Sequence, residues 1–226
     1  MSNAGELIKI CGLRDVRHAL VAAEAGADAL GFVMAPSRRR VEPALVLEVR
    51  DHLASMKKRP RLVAVVVNEP ERVLREIIEQ AQPDVVQLSG DEEAELLGML
   101  STPVFRTVRV PAGASMDLVR RLIDPWLDHE RPAEAVLIEA QSPGHFGGTG
   151  KVADWELAAG LAETYPLILA GGLTPENVRA GIAAVRPGGV DVSSGVEQDG
   201  LKSPERIRQF IAAARQGYGV ALPAIR

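Results

Sequence analysis

Leu167-Ile168-Leu169-Ala170-Gly171-Gly172-Leu173-Thr174-Pro175 opens as a strand and closes as the approach to a helix. Its first four residues form a short apolar run, the kind buried on both faces of a parallel sheet. Two glycines break the run. Thr174-Pro175 then pairs a capping hydroxyl with a proline suited to a first helical turn. The next unit repeats the plan. Val190-Asp191-Val192 ends in Ser193-Ser194-Gly195, and Ser203-Pro204 starts another helix.

Upstream, the same alternation recurs. Strands are predicted at Leu7–Cys11, Ala29–Met34, Leu62–Val67, Val85–Leu88, Val104–Val108 and Ala135–Ile138, before those at Leu167–Ala170 and Val190–Val192. Helical spacing of apolar residues runs through Asp15–Ala25, Pro43–Leu53, Glu71–Gln80, Asp91–Leu100, Met116–Ile123, Asp154–Ala162, Pro175–Ala184 and Pro204–Ala214. Lys57–Arg61 and Pro125–Pro132 read as polar loops, and no segment has the composition of a linker. Repeated βα units imply right-handed crossovers and a parallel sheet. The expectation is an α/β fold, a single (β/α)8 TIM barrel over residues 6–216. Residues 1–5, with Ser2-Asn3-Ala4, read as a tag remnant, and 217–226 as a C-terminal tail. An open doubly wound sheet is the competing arrangement; the gathering of polar motifs at strand ends favours the barrel.

Composition narrows the function. Of 226 residues, 46% are hydrophobic and 25% charged, an ordinary globular balance. The net charge of −4 gives no reason to expect a nucleic-acid partner or an anionic membrane. A single cysteine, Cys11, forbids an internal disulfide and fits a reducing, cytoplasmic setting. No apolar run approaches the roughly 20 residues needed to span a bilayer. Four scattered histidines and one cysteine make no metal site, and none is expected.

In a barrel of this kind, chemistry gathers where strands end. Strand one ends in Lys9-Ile10-Cys11-Gly12, and strand six in Glu139. A carboxylate closing an apolar strand must be solvated, paired or functional. A cysteine at a catalytic face beside a lysine is a candidate thiolate, although cysteine is also a common small core residue. Cys11 and Glu139 therefore form a candidate base and acid about one substrate. The Gly171-Gly172 and Ser193-Ser194-Gly195 turns follow strands seven and eight. There, backbone N–H groups commonly hold a phosphate. Arg38-Arg39-Arg40 after strand two offers a bidentate partner for a carboxylate. His145, in the Ser142–Lys151 loop after strand six, lies within possible reach of a substrate, whereas His18, His52 and His129 have no assigned role.

Taken in order, these motifs resemble those of the phosphoribosylanthranilate isomerases of tryptophan biosynthesis. The resemblance runs from about Ile8 to Ala214. It rests on Lys9-Ile10-Cys11-Gly12, Gly31-Phe32-Val33 with Ala35-Pro36-Ser37 and Arg39-Arg40, Val65-Val66-Val67-Asn68 and Val86-Gln87-Leu88. Further on it rests on Gly147-Gly148-Thr149-Gly150 with Asp154-Trp155, Ala170-Gly171-Gly172-Leu173 with Pro175-Glu176-Asn177-Val178, and Asp191-Val192-Ser193-Ser194-Gly195-Val196-Glu197.

The resemblance implies a cofactor-free and metal-free Amadori rearrangement. N-(5-phosphoribosyl)anthranilate becomes 1-(2-carboxyphenylamino)-1-deoxyribulose 5-phosphate. It implies Cys11 as base, Glu139 as acid and Arg40 as the holder of the anthranilate carboxylate. Gly171, Gly172, Ser193, Ser194 and Gly195 would hold the phosphate. The partner is a small phosphorylated sugar, and the protein a monomer or homodimer. A thiol serving as base is expected to be pushed below its usual value of about 8.5. Three positions depart from the family pattern: Glu139 replaces an aspartate, Ser89 a histidine and Arg14 a threonine. They keep open a related barrel isomerase acting on another phosphoribosyl amine, or a noncatalytic phosphosugar-binding relative.

Overall fold

The computed structural model describes residues 6–140 and 154–219. The expected tag remnant at 1–5, the motifs between 141 and 153 with His145, and residues 220–226 lie outside the described residues.

Eight parallel strands close into a barrel in chain order: β1 Leu7–Cys11, β2 Ala29–Val33, β3 Arg61–Val66, β4 Val85–Leu88, β5 Val104–Val110, β6 Ala135–Ala140, β7 Leu167–Leu169 and β8 Gly189–Val192. The helices are α1 Val16–Glu24, α2 Pro43–Leu53, α3 Glu71–Ala81, α4 Met116–Leu127, α5 Trp155–Ala162, α6 Val178–Val185 and α7 Pro204–Tyr218. The open doubly wound sheet is excluded by the β1–β8 pairing, which sets Lys9 opposite Asp191 and Leu7 opposite Gly189.

Alternation along the strands produces two apolar shells. Val63, Val65, Val85, Phe105, Leu137 and Ile168 point into the barrel. Ile8, Ile10, Leu30, Phe32, Val86, Val136 and Leu169 point out and pack under the helices. Each fully buried side chain of this size contributes roughly 1.5–3 kcal/mol. Helix starts follow the capping rules. Asp15 accepts from His18 N at 2.9 Å, Asp154 from Leu157 N at 3.1 Å, and Ser203 from Arg206 N at 3.4 Å ahead of Pro204.

Several expectations are corrected. The helix expected at Asp91–Leu100 is a 3-10 turn over Ala94–Met99. Its intended first turn is drawn inward by Glu92, whose carboxylate accepts from Asn68 N, Gly90 N and Arg106. Thr174-Pro175 starts a turn, and α6 begins only at Val178. Pro125 lies inside α4 because Trp126, almost fully buried, holds the last turn against the barrel. Beyond β8 the chain makes an unexpected two-stranded ribbon, β9 Glu197–Gln198 with β10 Leu201–Lys202. Finally, α7 runs past residue 216 into the expected tail.

Candidate active site

The carboxyl ends of the strands surround a cavity of about 350 Å³. Cys11, Glu139, Gly171, Gly172, Ser193, Ser194 and Gly195 all line it, as do Gln87, Ser89, Asp191 and Arg39. Strand geometry places them there. Cys11 ends β1, and Glu139 lies near the end of β6, register-paired with Arg109 on β5. Gly171 and Gly172 have φ of +81° and +67°, a left-handed pair that an L side chain would strain. Asn177 Nδ2 donates to Gly172 O at 2.9 Å, and Thr174 N donates to Asn177 Oδ1 at 2.7 Å, fixing that turn. The two glycine-containing turns touch: a Cβ on Gly195 would stand 1.9 Å from Leu173 O.

Arg40 does not line the cavity. Its side chain is about half exposed and lies 3.7 Å from Glu42. Arg39 turns inward instead, with Nε 2.7 Å from Glu197 Oε1. The tight turn made by Arg40 N on Ser37 O sends consecutive side chains in different directions.

Glu197 is a hub that sequence reasoning missed. Its carboxylate is nearly buried and meets Arg38, Arg39 and Lys202. Burial pushes it up, but the bond from Arg39 and the charges of Lys202 and Arg39 outweigh that and hold it below its usual value. Lys202 donates to Ser193 O at 2.7 Å, bracing the turn after β8. Burial lowers the Lys202 pKa, with Glu197 only partly opposing. The available signal was Asp199-Gly200, a pair with φ of +51° and +77° that suits a tight hairpin.

Beneath the cavity, Lys9 is completely buried and donates to Asp191 Oδ1 at 2.8 Å. Burial alone lowers its pKa, but Asp191 and then Cys11 reverse this, and Lys9 stays charged. The thiol departs from expectation. Burial pushes Cys11 up, and the opposing charge of Lys9 does not overcome it. In the ligand-free protein Cys11 is therefore a thiol at neutral pH. Ser89 forms a compact polar cluster with Gln87 and Thr107, at 3.1 and 3.0 Å. Among the described residues, no group of three or more His, Cys, Asp or Glu is placed to hold a metal ion. No helix among them is long and apolar enough to cross a membrane.

A closed parallel barrel, with a thiol, a carboxylate and two glycine-containing turns about one mouth, defines the class as a (β/α)8-barrel enzyme. The family model for N-(5′-phosphoribosyl)anthranilate isomerase matches residues 8–213, and the chain belongs to that family. It is 47% identical over 216 residues to the N-(5′-phosphoribosyl)anthranilate isomerase of Roseiflexus castenholzii, covering 92% of this chain and 98% of that one. The crystal structure of phosphoribosyl anthranilate isomerase from Thermotoga maritima superposes with a TM-score of 0.80 at 32% identity, covering 93% and 99% of the two chains. A third similar protein is a phosphoribosyl anthranilate isomerase in complex with reduced 1-(o-carboxyphenylamino)-1-deoxyribulose 5-phosphate. Its TM-score is 0.76 at 31% identity, over 93% of this chain and 99% of that one.

Proposed function

We propose that this chain isomerises N-(5′-phosphoribosyl)anthranilate with Glu139 as general acid and Cys11 as general base. The observation that carries the assignment is their shared cavity: the ends of β1 and β6 line it together with the turns after β7 and β8. The protonated Glu139 donates to the furanose ring oxygen. The C1–O bond breaks as the anilino nitrogen lone pair forms the C=N bond of a Schiff base. The Cys11 thiolate then takes the C2 proton. The C2–H electron pair becomes the C1=C2 bond, and the C=N electrons return to nitrogen. The enol-amine formed tautomerises to the ketose, and no redox partner is required.

The phosphate is held by Gly171, Gly172, Ser193, Ser194 and Gly195, where Lys202 and Arg39 place positive charge nearby. The anthranilate carboxylate goes to Arg40. Arg39 would have to surrender a charge-assisted bond to buried Glu197, whereas Arg40 has only a loose, exposed pair with Glu42. Ser89 and Glu139, in place of the family histidine and aspartate, put a smaller polar residue after β4 and the acid on a longer side chain, both lining the same cavity.

The experiment is a fluorescence assay of phosphoribosylanthranilate consumption by Cys11→Ala and Glu139→Ala, with circular dichroism to establish folding. Both folded variants are expected to lose turnover. Near-normal turnover by Glu139→Ala would remove Glu139 as the acid.

A further inference from the structure

We propose that Lys9 is a positioning residue that acts through Cys11: its ammonium, pinned by Asp191 beneath the cavity, is the fixed counter-ion of the thiolate. The inference rests on the assignment of Cys11 as base and specifies how a buried thiol serves in that role. Lys9 has no solvent exposure and Cys11 only 7%. Both side chains crowd into the space left by Gly31 on β2. A Cβ there would lie 2.8 Å from Cys11 Sγ and 3.0 Å from Lys9 Nζ. Register fixes the trio, since β1 sets Cys11 opposite Gly31 and Lys9 opposite Asp191.

The charge balance of this chamber gives the argument its sign. Lys9 and Asp191 are a buried pair of zero net charge. Ionising Cys11 beside them makes the group singly negative, which burial resists. Lys9 favours the thiolate by charge and as a hydrogen-bond donor, Asp191 opposes it by charge, and Lys202 from β10 adds a smaller favourable contribution. Among the described residues, Glu139 and Arg39 are the other charged groups lining the cavity. Lys9 is therefore more than a packing element. Without it, ionisation of Cys11 would set its charge against that of Asp191 with only the smaller contribution of Lys202 to offset it.

Cys11 is the only cysteine in the chain, so its ionisation can be read directly in ligand-free protein. The readouts are thiolate ultraviolet absorbance and the pH dependence of iodoacetamide alkylation. Lys9→Met is expected to raise the midpoint by at least one pH unit, about a tenfold loss of thiolate at a fixed pH. Asp191→Asn is expected to lower it, because ionisation then neutralises a positive chamber. The double variant should lie between Lys9→Met and the unaltered protein. At a fixed pH below the midpoints, kcat/KM should fall with the thiolate fraction in Lys9→Met. Equal midpoints, or shifts of the same sign in Lys9→Met and Asp191→Asn, would overturn the proposal, since a purely structural role gives no opposite pair. If Lys9→Met does not fold, Asp191→Asn decides alone: a lowered midpoint supports the pairing, and an unchanged or raised one refutes it. Full turnover by Cys11→Ala would refute Cys11 as base while leaving the midpoint shifts intact, so the two failures are distinguishable.

Discussion

Replacing Gly195 by alanine tests the idea that the turns after β7 and β8 act as one anion-binding unit. The added Cβ would stand 1.9 Å from the Leu173 carbonyl oxygen and 2.9 Å from its carbon, both backbone atoms that no rotamer change can move. Reaching a tolerable 3.0 Å from the oxygen requires the two turns to separate by about 1 Å. A displacement of that size at a positioning site costs about a hundredfold in rate. Expressed as transition-state stabilisation, that is about 2.7 kcal/mol. The strands beneath are untouched, so folding should persist. Steady-state kinetics on phosphoribosylanthranilate should show kcat/KM reduced on the order of a hundredfold, with inhibition by inorganic phosphate weakened in parallel. Gly113→Ala is the control. Gly113 is left-handed, with φ of +73°, and no atom lies within 4 Å of its added Cβ. Its cost is backbone strain of about 1–2 kcal/mol in stability, without an effect on KM. Unchanged kcat/KM and phosphate inhibition in Gly195→Ala would refute the joined-turn reasoning.

Further expectations follow from particular side chains. Because burial holds the Cys11 thiol above its ordinary value, its alkylation by iodoacetamide should climb with pH through neutrality, by about tenfold per unit below the thiol midpoint; an alkylation rate flat from pH 6 to 9 would contradict this. Lys202→Met removes the brace on the Ser193 carbonyl and should raise KM more than it lowers kcat, in the same steady-state assay. At the opposite end of the barrel, burial pushes Asp84 up, but the bonds from Arg59 and Leu62 N and the charges of Arg59 and Arg50 hold it below its usual value. That stabilisation is complete above the unfolded carboxyl value near 3.9 and disappears as pH falls through the lower folded value. Asp84→Asn should cost about 1–3 kcal/mol in urea denaturation at pH 7, with the difference from the unaltered protein shrinking below pH 4.

The barrel was readable because each strand is buried on both faces and so appears as an uninterrupted aliphatic run. Val85–Leu88 is identical in sequence reading and structure. Strand ends shifted where polar residues continue the ladder, as at Arg109 on β5. The helix expected after β4 failed for a tertiary reason. Helical spacing in Asp91–Leu100 is real, but Glu92 is recruited to bind two backbone N–H groups and Arg106, which no local pattern discloses. The site divides in the same way. Cys11, Glu139 and the glycine-containing turns announce themselves by their place at strand ends. Whether Arg39 or Arg40 faces inward depends on one backbone turn, and Glu197 finds its partners Arg39 and Lys202 only through the fold. The state of the thiol was misjudged because a lysine two residues away in sequence was weighed without the depth at which both lie.

The seam between β1 and β8 bears on when this protein acquires its chemistry. Lys9 meets Asp191 across it, and Arg215 on α7 reaches back to Glu6 O at 3.2 Å and to Asp28 at 2.5 Å. A chain made from its amino terminus holds Cys11 long before Asp191, so the chamber that governs that sulfur lacks a wall until the eighth strand arrives. Half-barrel fragments ending before Asp191 would carry the thiol as an ordinary exposed cysteine. The base is thus a property of ring closure: assembly of the last strand is also the step that arms the first.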